Sequence, residues 1–239
     1  MTIVFDIGNT NIKMGLFKDD ELTYTLRMAS SNKTGDEYWL LIKDMLSVKN
    51  IPIRDVEGAI ISSVNPNLNY TFEHMIETYF GFNPMIVGAG LKTGLNIKYD
   101  NPKELGADRV VNCVGAYRLY GAPCIVIDCG TATTFNVIAD GGELLGGAIS
   151  FGLKSAAESL SAAAARLPKV ELVAPVRAIG RTTITNMQSG IIYGYSGMVE
   201  SMVARLKREA GLPDAKVVAT GGISDVDNKF VDGIHLVDT

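Results

Sequence analysis

Apolar residues recur with two periods along this chain. A run from Ile3 to Phe5 ends in Asp6 and passes through Gly8 and Thr10. From Asn11 the pattern alternates, with Ile12, Met14 and Leu16 on one face and Asn11 and Lys13 on the other. Such alternation predicts a half-buried strand, and the polar turn Lys18-Asp19-Asp20-Glu21 makes Asn11 to Arg27 a hairpin. The same plan returns in the second half. Ile125 to Ile127 ends in Asp128, Gly130 and Thr131 follow, and Thr133 to Ile149 turns at Asp140-Gly141-Gly142. Each half opens with a strand, an Asp-x-Gly loop and a hairpin.

Helical spacing fills the remainder. Tyr38, Leu41, Ile42 and Met45 mark one helix, and Leu68, Phe72, Met75, Ile76 and Tyr79 mark another behind Pro66, a natural first helical residue. A third helix is predicted from Asp108 to about Tyr120. An Ala-rich helix over Leu153 to Ala164 stops before Pro168, and a long one runs from Thr183 to Ala210. The runs Gly58 to Val64 and Pro84 to Val87 read as short buried strands, and Lys216 to Ala219 leads into Thr220-Gly221-Gly222. Strands alternating with helices predict an α/β protein with mixed sheets. The duplication predicts two lobes, 1–121 and 122–239, joined by a short hinge near Gly121-Ala122-Pro123.

Composition narrows the class. Of 239 residues, 47% are apolar and 20% charged, which suits a globular protein of this length. A net charge of −4 gives no footprint for nucleic acid, and ATP remains compatible with it because bound Mg²⁺ supplies local positive charge. The first apolar run is too short for a signal peptide or a membrane span, and later ones are no longer than a buried strand. Cys113, Cys124 and Cys129 lack C-x-x-C spacing and have only His74 and His235 beside them, so the expectation is packed thiols rather than zinc, in a cytoplasmic protein.

The candidate chemistry lies in the paired loops. A strand fixes a carboxylate, glycine lets backbone N–H groups approach phosphate oxygens, and a Thr hydroxyl donates to them. Two copies, with a further Gly-rich turn at Ala219 to Gly222, predict a nucleotide-binding phosphotransferase whose loops grip one nucleotide from both sides. Val87 to Gly94 is not a P-loop, since Leu91 stands where a glycine must precede Lys92, and it reads as a plain turn. Tyr99 to Arg109 carries groups of another type. Asp108 opens a helical pattern, where a carboxylate commonly serves the first turn. Beside Arg109 it equally suits a base for a hydroxyl proton, with an arginine for an acidic substrate. Gly190, Gly194 and Gly197 share one face of the long helix, each costing about 1 kcal/mol against alanine. That strip predicts close helix packing, within the chain or across a dimer.

These motifs, D-I-G-N-T at Asp6, Y-D-N-P at Tyr99 with G-A-D-R at Gly106, D-C-G-T-A-T-T at Asp128, I-G-R-T-T at Ile179 with Q-S-G at Gln188, and A-T-G-G at Ala219, resemble in order and spacing those of type III pantothenate kinases. That family belongs to the acetate kinase, sugar kinase, Hsp70 and actin superfamily, with duplicated ribonuclease H-like lobes. The resemblance implies phosphorylation of pantothenate by ATP, the first step of coenzyme A biosynthesis. It implies ATP binding by Asp6, Ile7, Gly8, Asn9, Thr10, Asn11, Ile12, Lys13 and Thr131, with Asp6 holding Mg²⁺ through water. It further implies a monovalent cation (K⁺ or NH₄⁺) at Asp128, Asp108 as general base, and a pantothenate pocket of Tyr99, Gly106, Ala107, Asp108, Arg109 and Thr183. Gly221 and Gly222 would lie near the adenine, and a homodimer is expected on the glycine-notched helix. Two departures stand out: Phe151 replaces a proline common in the family, and the chain ends at Ile234 to Thr239, short of the last strand and helix that members usually carry.

Two other functions compete. One is a non-catalytic, nucleotide-binding accessory factor in transcription, whose mark would be loss of the base; Asp108 is present. The other is a kinase for a different hydroxylated substrate, such as a sugar. The pocket segment Tyr99 to Arg109, with an arginine suited to an acidic substrate, argues against that acceptor.

Overall fold

The computed structural model describes residues 1–88, 90–222 and 231–238. Its elements follow the predicted order closely. Compactness divides the chain into Met1–Leu91 with Lys103–Val111, and Lys92–Pro102 with Asn112–Thr239. This division puts Lys92–Pro102 and most of the third helix with the second unit, where the sequence pattern puts them with the first.

In the first unit β1 (Thr2–Ile7), β2 (Asn11–Lys18) and β3 (Glu21–Ala29) form an antiparallel meander. Strands β4 (Gly58–Ser63) and β5 (Met85–Ile86) continue the sheet in parallel on the other side of β1. The order is β3-β2-β1-β4-β5. Helices α1 (Gly35–Val48) and α2 (Pro66–Phe80) supply the apolar faces that bury Ile3, Phe5 and Ile7 of β1. Phe5 meets Phe72 edge-on with ring centroids 5.1 Å apart, and Phe72 meets Tyr38 at 4.8 Å. Thr34 caps α1 through a reciprocal bond pair with Glu37, satisfying donors that the first turn leaves open. This packing holds the core face of β1, and the alternation of the strand then fixes Asp6 on the opposite face.

In the second unit β7 (Cys124–Cys129), β8 (Ala132–Ala139) and β9 (Glu143–Phe151) repeat the meander, and β10 (Lys216–Thr220) and β11 (Leu236–Val237) repeat the parallel pair. A short β6 (Asn96–Ile97) adds to β9 in parallel, giving β11-β10-β7-β8-β9-β6. Without β6 this is the strand order of the first sheet, the duplication expected of ribonuclease H-like lobes. Helices α4 (Leu153–Ala163) and α5 (Thr183–Ala210) pack on it, and α3 (Ala107–Tyr120) spans the division.

Some expectations shift. Leu41 is exposed, and α1 buries Trp39 and Leu46 instead, because its inner stripe is centred near Ile42 and is turned away from Leu41. Met85 and Ile86 are also exposed, since β5 is an edge strand of two residues. The short strands β6 and β11 carried too few residues to show a period. Gly90 and Gly94 adopt left-handed backbone as a turn requires, while Ala89 between them and β5 lies outside the described residues. The three cysteines are buried thiols outside any disulfide among the described residues, and burial pushes the Cys124 thiol up to about 11, which suits packing rather than reaction.

Candidate active site

In the first unit the carboxylate of Asp6 stands in a cross-strand row. Antiparallel register sets it beside Lys13 of β2, and parallel register beside Ser62 of β4. Register neighbours project from the same face of a sheet, so Lys13, Asp6 and Ser62 share the face opposite Phe5 and Ile61. Burial is the main cause that raises the Asp6 carboxyl above its ordinary range; Lys13 pulls it down, and Asp108 pushes it further up. Asp108 is therefore an electrostatic neighbour of Asp6. Asp108, far along the sequence, thus joins Asp6 and Lys13 within one unit.

The loop that follows Asp6 is a tight turn. Gly8 N–H donates to the Asn11 carbonyl at 3.0 Å, Ser30 Oγ donates to the Gly8 carbonyl at 2.6 Å, and Ser30 N–H to that of Thr10 at 3.0 Å. Asn9, Thr10 and Asn11 are exposed. The Gly8 N–H is thus spent inside the turn, so any phosphate donors come from the residues after it. Ser30, unnoticed in the sequence, fixes the loop from β3's far end.

Asp108 lies in the first turn of α3. Val110 N–H closes that turn on the Gly106 carbonyl at 3.1 Å, and the Asp108 carboxylate accepts from Arg109 N–H at 2.7 Å. A Cβ at Gly106 would come within 2.6 Å of Asp108 Oδ1, so glycine there leaves room for the carboxylate. Arg109 is buried and has partners. Gly106, Ala107, Asp108 and Arg109 belong to the first unit, and Tyr99 to the second.

The second unit repeats the row and the turn. Register flanks Asp128 with Thr134 and Thr220 where Asp6 has Lys13 and Ser62. Gly130 N–H donates to the Ala132 carbonyl at 3.1 Å, one residue nearer than Gly8 reaches, and Ser155 Oγ of α4 donates to the Thr131 carbonyl at 2.7 Å, a serine tie to the loop like that of Ser30. Two features went unread in the sequence. Asn112 of α3 donates its amide to Asp128 Oδ2 at 3.0 Å. Gly152 packs so tightly that a Cβ would lie 2.2 Å from the Gly130 carbonyl oxygen. On the other side Gly221, left-handed at φ +100°, would place a Cβ 2.6 Å from Asp128 Oδ1. Gly222 is described next to it, and residues 223–230 lie outside the described residues.

Thr183 is the first residue of α5 and is exposed. Thr182 caps that helix with Thr185, and Gly180 packs against Asn186 so closely that a Cβ would meet its Oδ1 at 2.3 Å. The I-G-R-T-T motif is thus a built helix start. Phe151 ends β9 half-exposed, its ring 6.4 Å from that of Tyr195, which shares a buried 2.6 Å hydroxyl bond with Thr133. Cβ atoms at Gly190, Gly194 and Gly197 would meet nothing within 4 Å. Gly190 and Gly194 line an open groove of about 670 Å³ with Ala156, Leu160 and Phe151.

The sequence profile of the family described as type III pantothenate kinase matches residues 2–205. The chain belongs to that family. It is therefore an ATP-dependent phosphotransferase of a kinase family that acts on a small molecule. Solved structures agree on the fold. A conserved Campylobacter jejuni protein described as a Baf family transcriptional activator superposes with a TM-score of 0.62 at 18% identity, covering 99% of this chain and 91% of that one. A Sinorhizobium meliloti protein described as a 2-dehydro-3-deoxygalactonokinase gives 0.57 at 12%, covering 100% and 91%. The Clostridium difficile activator of 2-hydroxyisocaproyl-CoA dehydratase, with bound ADPNP, gives 0.53 at 12%, covering 99% and 88%. Among the described residues no helix is long and apolar enough to cross a membrane.

Proposed function

We propose that the protein transfers the γ-phosphoryl group of ATP to the terminal hydroxyl of pantothenate, giving ADP and 4′-phosphopantothenate. The observation that carries this is the electrostatic grouping of Asp6, Lys13 and Asp108, in a chain whose family is that of type III pantothenate kinases. Phosphoryl transfer relies on positioning and on charge neutralisation more than on covalent chemistry by the protein. Asp108 accepts the hydroxyl proton as the new O–P bond forms and the bond to the ADP oxygen breaks. The loop Asp6 to Lys13 and Thr131 hold the ATP phosphates. Tyr99, Gly106, Ala107, Arg109 and Thr183 bind pantothenate, with the Arg109 guanidinium suited to its carboxylate. Gly221 and Gly222 lie by the adenine.

The residues present fit a magnesium ion. Mg²⁺ keeps several waters and is held by one or two carboxylates together with substrate phosphates. Among the described residues no three or more His, Cys, Asp or Glu stand together as a cage, whereas Asp6 is a single carboxylate whose ionised form needs added positive charge. Bound there, the ion would neutralise charge on the phosphates. Asp128, oriented by Asn112, offers the hard oxygen donor that K⁺ or NH₄⁺ prefers. The groove beside Gly190 and Gly194 is the face on which a second copy packs to form a homodimer.

The test is a coupled ADP-release assay with ATP, Mg²⁺ and K⁺, run with and without pantothenate and again with Na⁺ in place of K⁺. Release that depends on pantothenate and falls in Na⁺ is expected. Indifference to the swap removes the cation from Asp128. No release while ATP still binds favours an accessory factor in transcription, the Campylobacter jejuni protein being described as a transcriptional activator; release with a sugar favours another acceptor.

A further inference from the structure

The hydroxyl of Ser62 is out of keeping with its surroundings. Ser62 is 5% exposed, and its Oγ is one of two buried side-chain polar atoms, with Asn69 Oδ1, that have no hydrogen-bond partner among the described residues. A buried polar group without a partner costs stability, and a native one calls for an explanation. Asn69 lies in α2, outside the sheet. Ser62 lies in it: parallel register sets it directly beside Asp6, on the face that also carries Lys13. The preceding residues of β4, Ile60 and Ile61, are apolar, so the strand turns polar at the level of the Asp6 carboxylate. The second unit has a hydroxyl at the matching position, Thr220 beside Asp128.

We propose that Ser62 is a positioning residue for the divalent ion, its hydroxyl bonding a water in the shell of the ion held at Asp6. This rests on the reading of Asp6 as the carboxylate that holds that ion. Mg²⁺ and Mn²⁺ retain water ligands in phosphate complexes, and outer-shell groups that orient such ligands are worth about 10–100-fold in metal affinity. The hydroxyl is therefore a cost in the empty protein and a contribution in the loaded one.

The two effects carry opposite signs, and that makes the inference testable on the full chain. Ser62→Ala should raise the melting temperature of the nucleotide-free protein by about 2–4 °C, because it removes an unpaired buried hydroxyl. The same variant should weaken Mn²⁺ binding in the presence of ADP, followed by electron paramagnetic resonance, by about tenfold or more. Ser62→Thr, which retains a hydroxyl and copies the second unit, should restore Mn²⁺ affinity. A lower melting temperature for Ser62→Ala, or unchanged Mn²⁺ affinity, overturns the proposal. Asp6→Asn separates the two layers. If it abolishes Mn²⁺ binding and Ser62→Ala leaves binding intact, Ser62 alone is wrongly assigned. If Asp6→Asn leaves binding intact, the reading of Asp6 fails and the proposal fails with it.

Discussion

Replacing Gly152 by alanine places a methyl carbon 2.2 Å from the Gly130 carbonyl oxygen and 2.6 Å from that of Thr131. Such contacts do not occur below 3.0 Å, so the second loop has to recede by about 0.8 Å. The obstructing atoms are backbone, and no side-chain rotation relieves them. Overpacking of this kind costs about 1–3 kcal/mol, and the stiffer unfolded chain returns about 0.4–1 kcal/mol. A net loss of about 1–2 kcal/mol lowers the melting temperature by about 2–8 °C for a chain of this size. The displaced groups also include the Gly152 N–H bond to Thr131 and the first bond of α4, from Ala156 to Gly152. A shift near 1 Å in a positioning loop costs up to about 10²-fold in rate. Thermal denaturation and coupled ADP release, with KM for ATP taken separately from kcat, would measure both. Gly115→Ala is the paired control: its Cβ meets nothing within 4 Å, and helix propensity there should add about 1 kcal/mol. A Gly152→Ala protein with unchanged melting temperature and unchanged KM for ATP would refute the idea that this contact holds the second loop.

Asp108→Asn should lower kcat by about 10²–10⁴-fold while ATP still binds, and near-normal turnover would remove the general base. Burial holds the Asp6 carboxyl above its ordinary 3.8, so the folded protein keeps that proton to higher pH than the unfolded chain does. The nucleotide-free fold therefore loses stability as pH rises through that interval, and Asp6→Asn should melt higher than the parent at pH 7 and no higher below pH 3.8. An Asp6→Asn protein that melts no higher at pH 7 would contradict the burial argument. Gly194→Leu should leave the single chain folded, because nothing lies within 4 Å of its Cβ, yet shift sedimentation from dimer to monomer. A parent chain that sediments as an active monomer would dispose of the interface.

The fold was legible where periods are long and chemistry is local. Helix α5 matches Thr183–Ala210 at both ends, because a Thr cap and a glycine stop bracket an unbroken pattern. The paired Asp-x-Gly loops were visible because each closes a short apolar strand. What stayed hidden depends on register or on close approach. Ser62 reads as part of a buried strand until pairing sets it beside Asp6. Asn112 is one polar residue in a helix until its amide reaches Asp128. Gly152 is one of many glycines until the Gly130 carbonyl is found against it. Phe151 departs from the family's proline in sequence, and only the fold brings Tyr195 to its ring.

Strand β6 has a practical consequence for anyone who wants to express half of this protein. It pairs with β9 through Asn96–Glu143 and Ile97–Leu144, supported by an ion pair of 2.9 Å from Lys98 to Glu143. A fragment cut at Gly121 would leave these residues behind and bare the backbone donors and acceptors of β9 at Glu143 and Leu144, beside the exposed Leu145. Unpaired apolar edges recruit other chains. The isolated C-terminal half should therefore aggregate, and a fragment carrying the β6 segment on a tether should stay dispersed.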